Sequence, residues 1–466
     1  MDYSNNREHY TALVRRHNEE AAQINGRQPV GYIRTFGCQQ NLSDSEKLGG
    51  MLLEMGYTLS DEAPGADLIL FNTCAVREHA EDRAMGNLGA LKAAKKRNPK
   101  LIIGLCGCMV QQPHLADKLR ASYPYLDILL GTHALPKLPE LIWKKLTEGG
   151  QVTDISGQGE SIPQEGMPTR RDGTLKAWVP VMYGCDNFCS FCVVPLVRGR
   201  ERSRQKQSIL DEIQGLLGEG FREFTLLGQN VNSYGRTLEQ PSDFPALLED
   251  INALPGDFRV RFMTSHPKDC TPKLIDTIAG CEKICAHIHL PVQSGSDEVL
   301  ERMNRRYTVG EYLGLIDYAR EKIPGVAFTS DIIVGFPGET DKDFEATLNL
   351  IERVGYHALF TFLYSKREGT AAALLEDKLS HPEKVARMQR LLNLQKGIGL
   401  AKHEGMVGGS FKVLAEGVGK TSSQRLSGRS EQNVIVDFEG DSEMIGRFVD
   451  VKIDSALQWA VIGRAV

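Results

Sequence analysis

The sequence predicts an α/β protein of three domains: a Rossmann-like N-terminal domain, a central partial (β/α)6 barrel and a small OB-like C-terminal β-barrel. Three observations predict this architecture. Strand-like runs alternate with helical patterns before residue 146, six further β/α units follow, and short β runs between glycine turns end the chain. At roughly 150 residues per domain, a chain of 466 residues also suggests about three domains. We expect these domains to span 28–146, 171–401 and 404–466.

The N-terminal domain is predicted from three apolar runs, at 31–36, 67–71 and 101–105, that alternate with helical stretches. A Gly-, Gln-, Pro- and Ser-rich stretch at 149–174 follows and is typical of an exposed linker or a poorly ordered loop. We therefore place the first domain boundary in this stretch.

The central barrel is predicted from strand-like runs with helices between them, at 178–183, 223–227, 259–263, 284–290, 326–334 and 358–364. A long Leu- and Lys-rich helix is predicted at 381–403. The short β runs that predict the small barrel are 411–416, 433–438, 448–453 and 460–462.

Composition narrows the class of protein. The formal net charge of −5 argues against a uniformly basic nucleic-acid binder, so any RNA contact needs a local patch such as the one containing Arg198 and Arg200. No run reaches the roughly 18 apolar residues of a membrane span, and the polar N-terminus carries no export signal. We therefore expect a cytoplasmic protein without a membrane anchor, in which ten cysteines more often bind metal than form disulfides.

Cys185, Cys189 and Cys192 form a CxxxCxxC motif directly after a predicted strand. Soft thiolates select zinc or iron-sulfur clusters. Structural zinc normally takes four protein ligands, whereas three thiolates leave one iron of a cubane open for another ligand. The motif therefore predicts an iron-sulfur cluster, with a structural zinc site completed by a distant residue as the alternative.

Three further cysteines, Cys38, Cys74 and Cys108, each follow the end of one N-terminal strand. Because the carboxyl ends of parallel strands share one edge of a sheet, we expect these thiols to meet as a second cluster site. Independent buried cysteines are the alternative interpretation. Cys106 is a possible competing ligand, and the expected structural cysteines are Cys270, Cys281 and Cys285.

The CxxxCxxC motif, with Phe191 before its last cysteine, resembles the radical S-adenosylmethionine superfamily, whose partial barrel the six β/α units fit. The order of the three domains resembles the methylthiotransferase family within it, over almost everything after residue 28. The segments 35–41 (TFGCQQN) and 72–78 (NTCAVRE) are most similar to the branch that acts on isopentenylated adenosine beside the tRNA anticodon. Gln40 departs from the Met that family members more often have.

This resemblance implies a 4Fe-4S cluster on the CxxxCxxC motif, whose open iron binds S-adenosylmethionine and releases a 5′-deoxyadenosyl radical. It also implies that the three N-terminal cysteines ligate an auxiliary cluster, which supplies the sulfur for a methylthio group on position 2 of the adenine. The implied partners are tRNA carrying isopentenylated adenosine and an electron donor such as flavodoxin or ferredoxin.

Further candidates for cofactor binding lie beside the motif or at predicted strand ends of the central domain. They are Phe191, Gln229, Asn230, Ser265, Gln293, Asp331 and Glu339. The stretch 331–339 (DIIVGFPGE) most closely resembles the superfamily's cofactor pocket. Turn or helix-cap roles are the alternative for each strand-end residue.

The C-terminal domain resembles a TRAM domain, an RNA-binding module. Acidic residues outnumber basic ones from 404 to 466, so RNA binding would depend on a local face that includes Lys412, Arg425 and Arg429.

Two alternative functions stay open. The same chemistry could act on threonylcarbamoyl adenosine in tRNA or on a ribosomal-protein aspartate. Alternatively, the chain could be a non-enzymatic iron-sulfur or RNA-binding scaffold, which would not cleave S-adenosylmethionine.

Overall fold

A computed structural model of the chain describes residues 3–75, 78–155, 164–419 and 425–466. Val76 and Arg77 of the 72–78 segment, residues 156–163 of the predicted linker and residues 420–424 of the C-terminal domain lie outside the described residues. The chain divides into two compact units. Unit 1 comprises 1–172, 183–186 and 192–202, and unit 2 comprises 173–182, 187–191 and 203–466.

Unit 1 is a parallel α/β sandwich. Its helices are α1 (Tyr3–Asn25), α2 (Gln39–Glu54), α3 (Glu78–Arg97), α4 (Pro113–Ser122), α5 (Leu138–Glu148) and α6 (Val194–Arg198). Its strands are β1 (Val30–Phe36), β2 (Thr58–Ser60), β3 (Leu68–Thr73), β4 (Ile102–Gly107), β5 (Ile128–Leu130) and β6 (Val152–Asp154). They form one parallel sheet in the order β2-β1-β3-β4-β5-β6.

The sheet is apolar on both faces because helices cover it on both sides, as parallel sheets require. Every residue of β3 and β4 is buried. Side chains on one face pack in a cluster with Leu48 and Ile142, and those on the other with Leu88 and Leu119. The alternating pattern of the sequence predicted β1, β3 and β4, but it did not predict the three-residue strands β2, β5 and β6.

Residues 164–172 of the predicted linker lie along α2, and each of them is exposed or half-buried, as expected for an exposed stretch. Glu46 accepts hydrogen bonds from Arg171 at 2.8 Å and from the Asp172 amide at 3.3 Å. A Cβ on Gly50 would stand 2.4 Å from the Pro168 carbonyl carbon. Glycine there permits the close approach of this segment to the helix.

Unit 2 contains the partial barrel. Its barrel strands are β7 (Lys176–Pro180), β10 (Glu223–Leu227), β11 (Arg259–Phe262), β12 (His287–His289), β13 (Ala327–Val334) and β14 (Ala358–Leu363). Two further short strands, β8 (Met182–Tyr183) and β9 (Arg202–Ser203), each include the boundary between the two units. Its helices are α7 (Lys206–Gly218), α8 (Phe244–Ala253), α9 (Pro272–Gly280), α10 (Asp297–Arg302), α11 (Val309–Lys322), α12 (Asp341–Val354) and α13 (His381–Glu404).

The six barrel strands form two parallel sheets, β11-β10-β7 and β12-β13-β14. An isolated parallel bridge between Val260 and Ile284 connects β11 with the segment before β12. The sequence predicted all six. Helices α7 to α9 and α11 to α13 bury the outer face of these strands, and one apolar cluster includes residues from Ala177 to Leu391.

A closed barrel ends unit 2, with strands β15 (Ser410–Val418), β16 (Leu426–Ser430), β17 (Ile435–Glu439), β18 (Phe448–Ala456) and β19 (Val461–Ala465). Strand β16 was not predicted, because its Leu-Ser-Gly-Arg-Ser sequence has few residues that favour strands. No helix within the described residues is both long and apolar enough to cross a membrane.

Candidate active site

The first cysteine site lies at the carboxyl edge of the unit 1 sheet. Cys38 follows β1, Cys74 follows β3 and Cys108 follows β4, and these three strands are neighbours. The amide of Cys108 donates to the Thr73 carbonyl at 2.9 Å. The structure therefore brings these three cysteines to one edge, where open α/β sheets build their sites.

Asn41 connects the first two cysteine segments. Its Oδ1 accepts from the amide and the thiol of Cys38, each at 3.3 Å. Its Nδ2 donates to the Thr73 carbonyl at 3.1 Å and to Asn72 Oδ1 at 3.2 Å. One buried amide side chain therefore fixes the start of α2 against the end of β3.

The electrostatic environment favours thiolate at Cys38. A hydrogen bond with Cys74 lowers the pKa of Cys38 to about 6 against the effect of burial, and the charge of Arg198 acts in the same direction. Burial raises the pKa of the Cys108 thiol, while Arg198 opposes that shift. Arg198 donates from Nε to Cys108 Sγ at 3.1 Å and pairs with Asp44 at 2.6 Å.

Cys106 lies in the apolar core of the sheet, although it precedes Cys108 by only two residues. It packs with Ile128 and Leu130, and its thiol donates to the Phe71 carbonyl at 3.4 Å. Burial raises its pKa strongly. This setting favours a structural role over the competing-ligand role considered from the sequence. The other expected structural cysteines, Cys270, Cys281 and Cys285, are also buried.

The second site is the loop 184–192 that carries the CxxxCxxC motif. In unit 1, Gly184 has a φ of +74°, and a Cβ there would stand 2.0 Å from the Arg200 carbonyl oxygen. The Cys185 amide donates to the Gly199 carbonyl at 3.2 Å. Glycine therefore allows the chain to turn tightly into the cysteine loop.

In unit 2, the middle of the loop rests on the segment after α10. The Ser190 amide donates to the Met303 carbonyl at 3.0 Å, and Asn304 donates to the Phe188 carbonyl at 2.9 Å. Phe191 packs edge-on against Phe336, with ring centroids 6.5 Å apart. The aromatic residue of the motif thus anchors the loop to the barrel.

Arg305 places a buried cation beside this loop. Its Nη1 donates to Cys189 Sγ at 3.3 Å, its Nε to the Tyr307 hydroxyl at 3.0 Å and its Nη2 to the Pro291 carbonyl at 2.7 Å. Each cysteine site therefore has one buried guanidinium that donates to a thiol sulfur.

Polar atoms without partners gather at the carboxyl ends of β10 and β11. Gln229 Oε1, Asn230 Oδ1 and Ser265 Oγ are buried, and none has a hydrogen-bond partner. Asn230 is oriented by its donation to Asp269 at 2.7 Å. Since buried polar atoms are normally satisfied, these atoms are suited to accept hydrogen bonds from a bound ligand.

The remaining strand-end candidates have different settings. Gln293 has a φ of +74° and bridges to Ile332, so its backbone is part of the sheet. Asp331 lies 3.5 Å from His289 Nε2. Glu339 is buried, accepts from the Gly335 amide at 2.9 Å and pairs with Arg387 at 2.7 Å. These bonds favour a structural role for Glu339 over the ligand contact predicted from the sequence.

The basic residues predicted to bind RNA differ in how exposed their side chains are. Arg198 is buried at the first cysteine site, which leaves it no surface for an RNA contact and argues against that prediction. Arg200 is exposed and pairs with Asp186 at 2.8 Å. In the C-terminal barrel, Lys412 is exposed, whereas Arg425 and Arg429 are half-buried.

Within the described ranges, no group of three His, Cys, Asp or Glu side chains is placed to hold a single metal ion. Sequence reasoning missed Asn41, Asp44 and Arg305 as partners of the cysteine sites. Arg305 lies 116 positions from its cysteine, and no local pattern marks such a contact.

Comparison with known families assigns every predicted domain a counterpart. Residues 31–131 match the Uncharacterized protein family UPF0004, residues 179–351 match the Radical SAM superfamily and residues 404–466 match the TRAM domain. The predicted domain order is confirmed, while the exact boundaries stay predictions.

The chain is 47% identical to a tRNA-2-methylthio-N(6)-dimethylallyladenosine synthase of Thermoanaerobacter pseudethanolicus, over 96% of this chain and 95% of that protein. It is 48% identical to a synthase of the same name from Clostridium botulinum strain Alaska E43, over 96% of this chain and 98% of the relative.

Solved structures share the fold at low identity. The radical S-adenosylmethionine methyltransferase TsrM from Kitasatospora setae aligns with a TM-score of 0.50 and 15% identity, over 74% of this chain and 75% of that one. The cobalamin-dependent radical enzyme OxsB aligns with a TM-score of 0.51 and 13% identity, over 79% of this chain and 56% of that one. These likenesses confirm the predicted fold class.

Proposed function

The chain belongs to the family of tRNA-2-methylthio-N(6)-dimethylallyladenosine synthases, and we propose that it attaches a methylthio group to isopentenylated adenosine next to the anticodon of tRNA. The observation that carries this proposal is the presence of two three-cysteine sites, one at the carboxyl edge of the unit 1 sheet and one in the 184–192 loop. The radical-enzyme core and the TRAM domain match the same assignment.

The donor sets fit two iron-sulfur clusters. Cys38, Cys74 and Cys108 would hold the auxiliary cluster, and the CxxxCxxC thiols would hold the radical cluster, since thiolates are the usual ligands of such clusters. When bound, the clusters and S-adenosylmethionine supply the electron, the radical and the sulfur, which acid-base groups cannot provide for an unactivated aromatic C–H bond.

The protein's own residues would orient the cysteine thiols and bind S-adenosylmethionine. Asn41 and Arg198 fix the auxiliary thiols, and Arg305 fixes Cys189. The unpartnered oxygens of Gln229 and Ser265 would accept hydrogen bonds from the amino or hydroxyl groups of S-adenosylmethionine. Hydrogen bonds of Ser190 to Met303 and of Asn304 to Phe188 hold the middle of the cysteine loop in position.

Substrate tRNA would contact the C-terminal barrel through Lys412 and Arg425, and the neighbourhood of the cysteine loop through Arg200. A flavodoxin or ferredoxin would supply the electrons. We propose that the protein is cytoplasmic, because the reducing cytosol keeps cysteine thiols available as cluster ligands.

The test is an anaerobic reaction. The chain is reconstituted with iron and sulfide, reduced, and given S-adenosylmethionine with isopentenylated tRNA, and the digested nucleosides are analysed by mass spectrometry. We expect a methylthio mass increment on the adenosine. C189A should lose both this product and 5′-deoxyadenosine, whereas C74A should lose the methylthio product and still form 5′-deoxyadenosine.

C106A serves as the matched control, because Cys106 is buried two residues from a proposed ligand and should leave both products near wild-type levels. If 5′-deoxyadenosine forms but the tRNA is unchanged, the substrate assignment is wrong, and threonylcarbamoylated tRNA and the ribosomal protein are tested next. If an iron-loaded protein forms neither product, the scaffold alternative is favoured.

A further inference from the structure

The segment that follows the radical-cluster loop is built into the wall of the auxiliary site. Helix α6 begins two residues after Cys192. Val197 of this helix and Val193, which directly precedes it, pack in one small cluster with Ala75 and Cys108. All of these residues belong to unit 1. Arg198 ends this helix and is buried beside the same cysteine.

Two bonds hold the Arg198 guanidinium in one position. Its Nη1 pairs with Asp44 Oδ2 at 2.6 Å, and its Nε donates to Cys108 Sγ at 3.1 Å. Asp44 is held in turn by Gln40, which donates to its Oδ1 at 3.2 Å. Arg198 Nη2 is also buried and has no hydrogen-bond partner.

The Arg198–Asp44 pair could instead be a purely structural ion pair. Helix α2 also takes part in a pair of that kind. Arg171 pairs with Glu46 at 2.8 Å, and both side chains are largely buried. Arg198 differs in two respects, because it donates directly to a thiol sulfur and keeps an unsatisfied N–H group in the same buried site. A buried donor without a partner is costly, so a further acceptor is expected there.

We propose that Arg198 is a positioning residue of the auxiliary site, which holds the Cys108 sulfur and raises the reduction potential of the cluster bound there. Hydrogen bonds to ligand sulfurs, net charge and solvent exposure set the potentials of iron-sulfur clusters. A fixed cation and an N–H···S bond stabilise the more negative, reduced state. This inference rests on the proposed function, because it requires a cluster on Cys38, Cys74 and Cys108.

The experiment uses the full chain with C185A, C189A and C192A together, so that only the auxiliary cluster forms. In this background we compare R198Q, R198K and the charge-balanced pair D44N/R198Q. The matched control is R171Q/E46Q. It removes the buried ion pair between Arg171 and Glu46 of α2, the helix that also carries Asp44, without changing a contact to a cysteine. The measurements are iron and sulfide per chain, circular dichroism, and the midpoint potential from an EPR-monitored redox titration.

We expect R198Q and D44N/R198Q to show a more negative midpoint potential than the parent. R198K, which keeps the charge, should recover part of the shift, and the control should show none. Loss of iron binding by about 10- to 100-fold in the Arg198 variants, with the control loaded, would support the same role, since outer partners of metal ligands contribute this much.

Unchanged iron loading and potential in D44N/R198Q would overturn the inference, because the neutral pair removes the charge and leaves no buried carboxylate unpaired. Iron loss and a shifted potential of equal size in R171Q/E46Q would also overturn it, since the effect would then be a general consequence of disturbing α2. If the parent with intact Arg198 binds no cluster, the proposed auxiliary site itself fails, which is a separate result.

Discussion

Arg305 Nη1 lies 3.3 Å from Cys189 Sγ, and the two other donating nitrogens of this side chain are fixed by the Tyr307 hydroxyl and the Pro291 carbonyl. Burial opposes the charged form, but Tyr307 and Cys189 raise the pKa of Arg305 above its usual range. The cation is therefore permanent and directed at a thiol of the proposed radical cluster.

R305Q should slow the formation of 5′-deoxyadenosine by about 10- to 100-fold while iron stays bound, because partners of metal ligands typically contribute this much. R305K should be intermediate, since it keeps the charge but not the fork of donors. Anaerobic turnover with liquid chromatography measures the product. The exposed neighbour Arg306 provides the control R306Q, and equal rates for R305Q and R306Q would contradict the prediction.

The sequence predicted the cysteine sites because both depend on local or periodic features. The CxxxCxxC motif lies within one loop, and Cys38, Cys74 and Cys108 could be placed together because parallel strands end at one edge. The relatives confirm the family and the reaction class.

The partners of the cysteines could not be predicted in this way. Arg198 lies 90 positions from Cys108, and its alternation with Arg200 suggested a solvent-exposed basic patch. Only the packing of α6 on the sheet edge buries it. Strand β16 was missed for the related reason that its closed-barrel neighbours, and not its own residues, make it a strand.

G184A should disrupt the cysteine loop. Alanine is strained at a φ of +74°, and its Cβ would stand 2.0 Å from the Arg200 carbonyl oxygen. We expect less iron per chain and slower cleavage of S-adenosylmethionine. The control is G86A on the exposed side of α3, where nothing lies within 4 Å of an added Cβ.

That control should be neutral or slightly stabilising, by about 0.5–1 kcal/mol, because alanine favours the helix. Iron assays and thermal melting of both variants provide the measurement. A G184A protein with full iron loading would show that the loop tolerates the side chain.

Ionisation of Glu223 should make the folding stability of the protein depend on pH in the acidic range. It accepts from Arg259 at 2.5 Å and from Arg261 at 3.1 Å, and these arginines also donate to the carbonyls of Arg429 and Glu431 in the C-terminal barrel. Burial opposes ionisation, yet Arg261 and Arg259 lower the pKa of Glu223 to about 2 from its usual 4.5. The carboxylate therefore stabilises the fold fully above pH 4.5, and this contribution is lost as the pH falls through about 2.

E223Q should destabilise the apoprotein at neutral pH by about 3–5 kcal/mol, because two buried guanidinium groups lose their partner. The difference from wild type should shrink between pH 4.5 and 2. Thermal melting across this range measures it, with E282Q as the control because Glu282 is exposed in the same unit. A difference that does not change with pH would show that the pairing is not ionic.

Lys412 and Arg429 should have separable roles, although both were predicted to bind RNA. Lys412 is exposed, with its Nζ 5.6 Å from the centre of the Phe448 ring. Arg429 donates to the Asn433 carbonyl at 2.9 Å and closes the turn after β16.

K412Q should therefore weaken tRNA binding and reduce the slope of log affinity against log salt by about 1, as expected for one lost phosphate contact. R429Q should leave that slope unchanged and lower the melting temperature, since a hydrogen bond of about 1 kcal/mol is lost. Filter binding of tRNA at several salt concentrations, with K322Q on α11 as a charge-matched control, distinguishes the two residues. A reduced slope for R429Q instead would show that its guanidinium reaches the RNA.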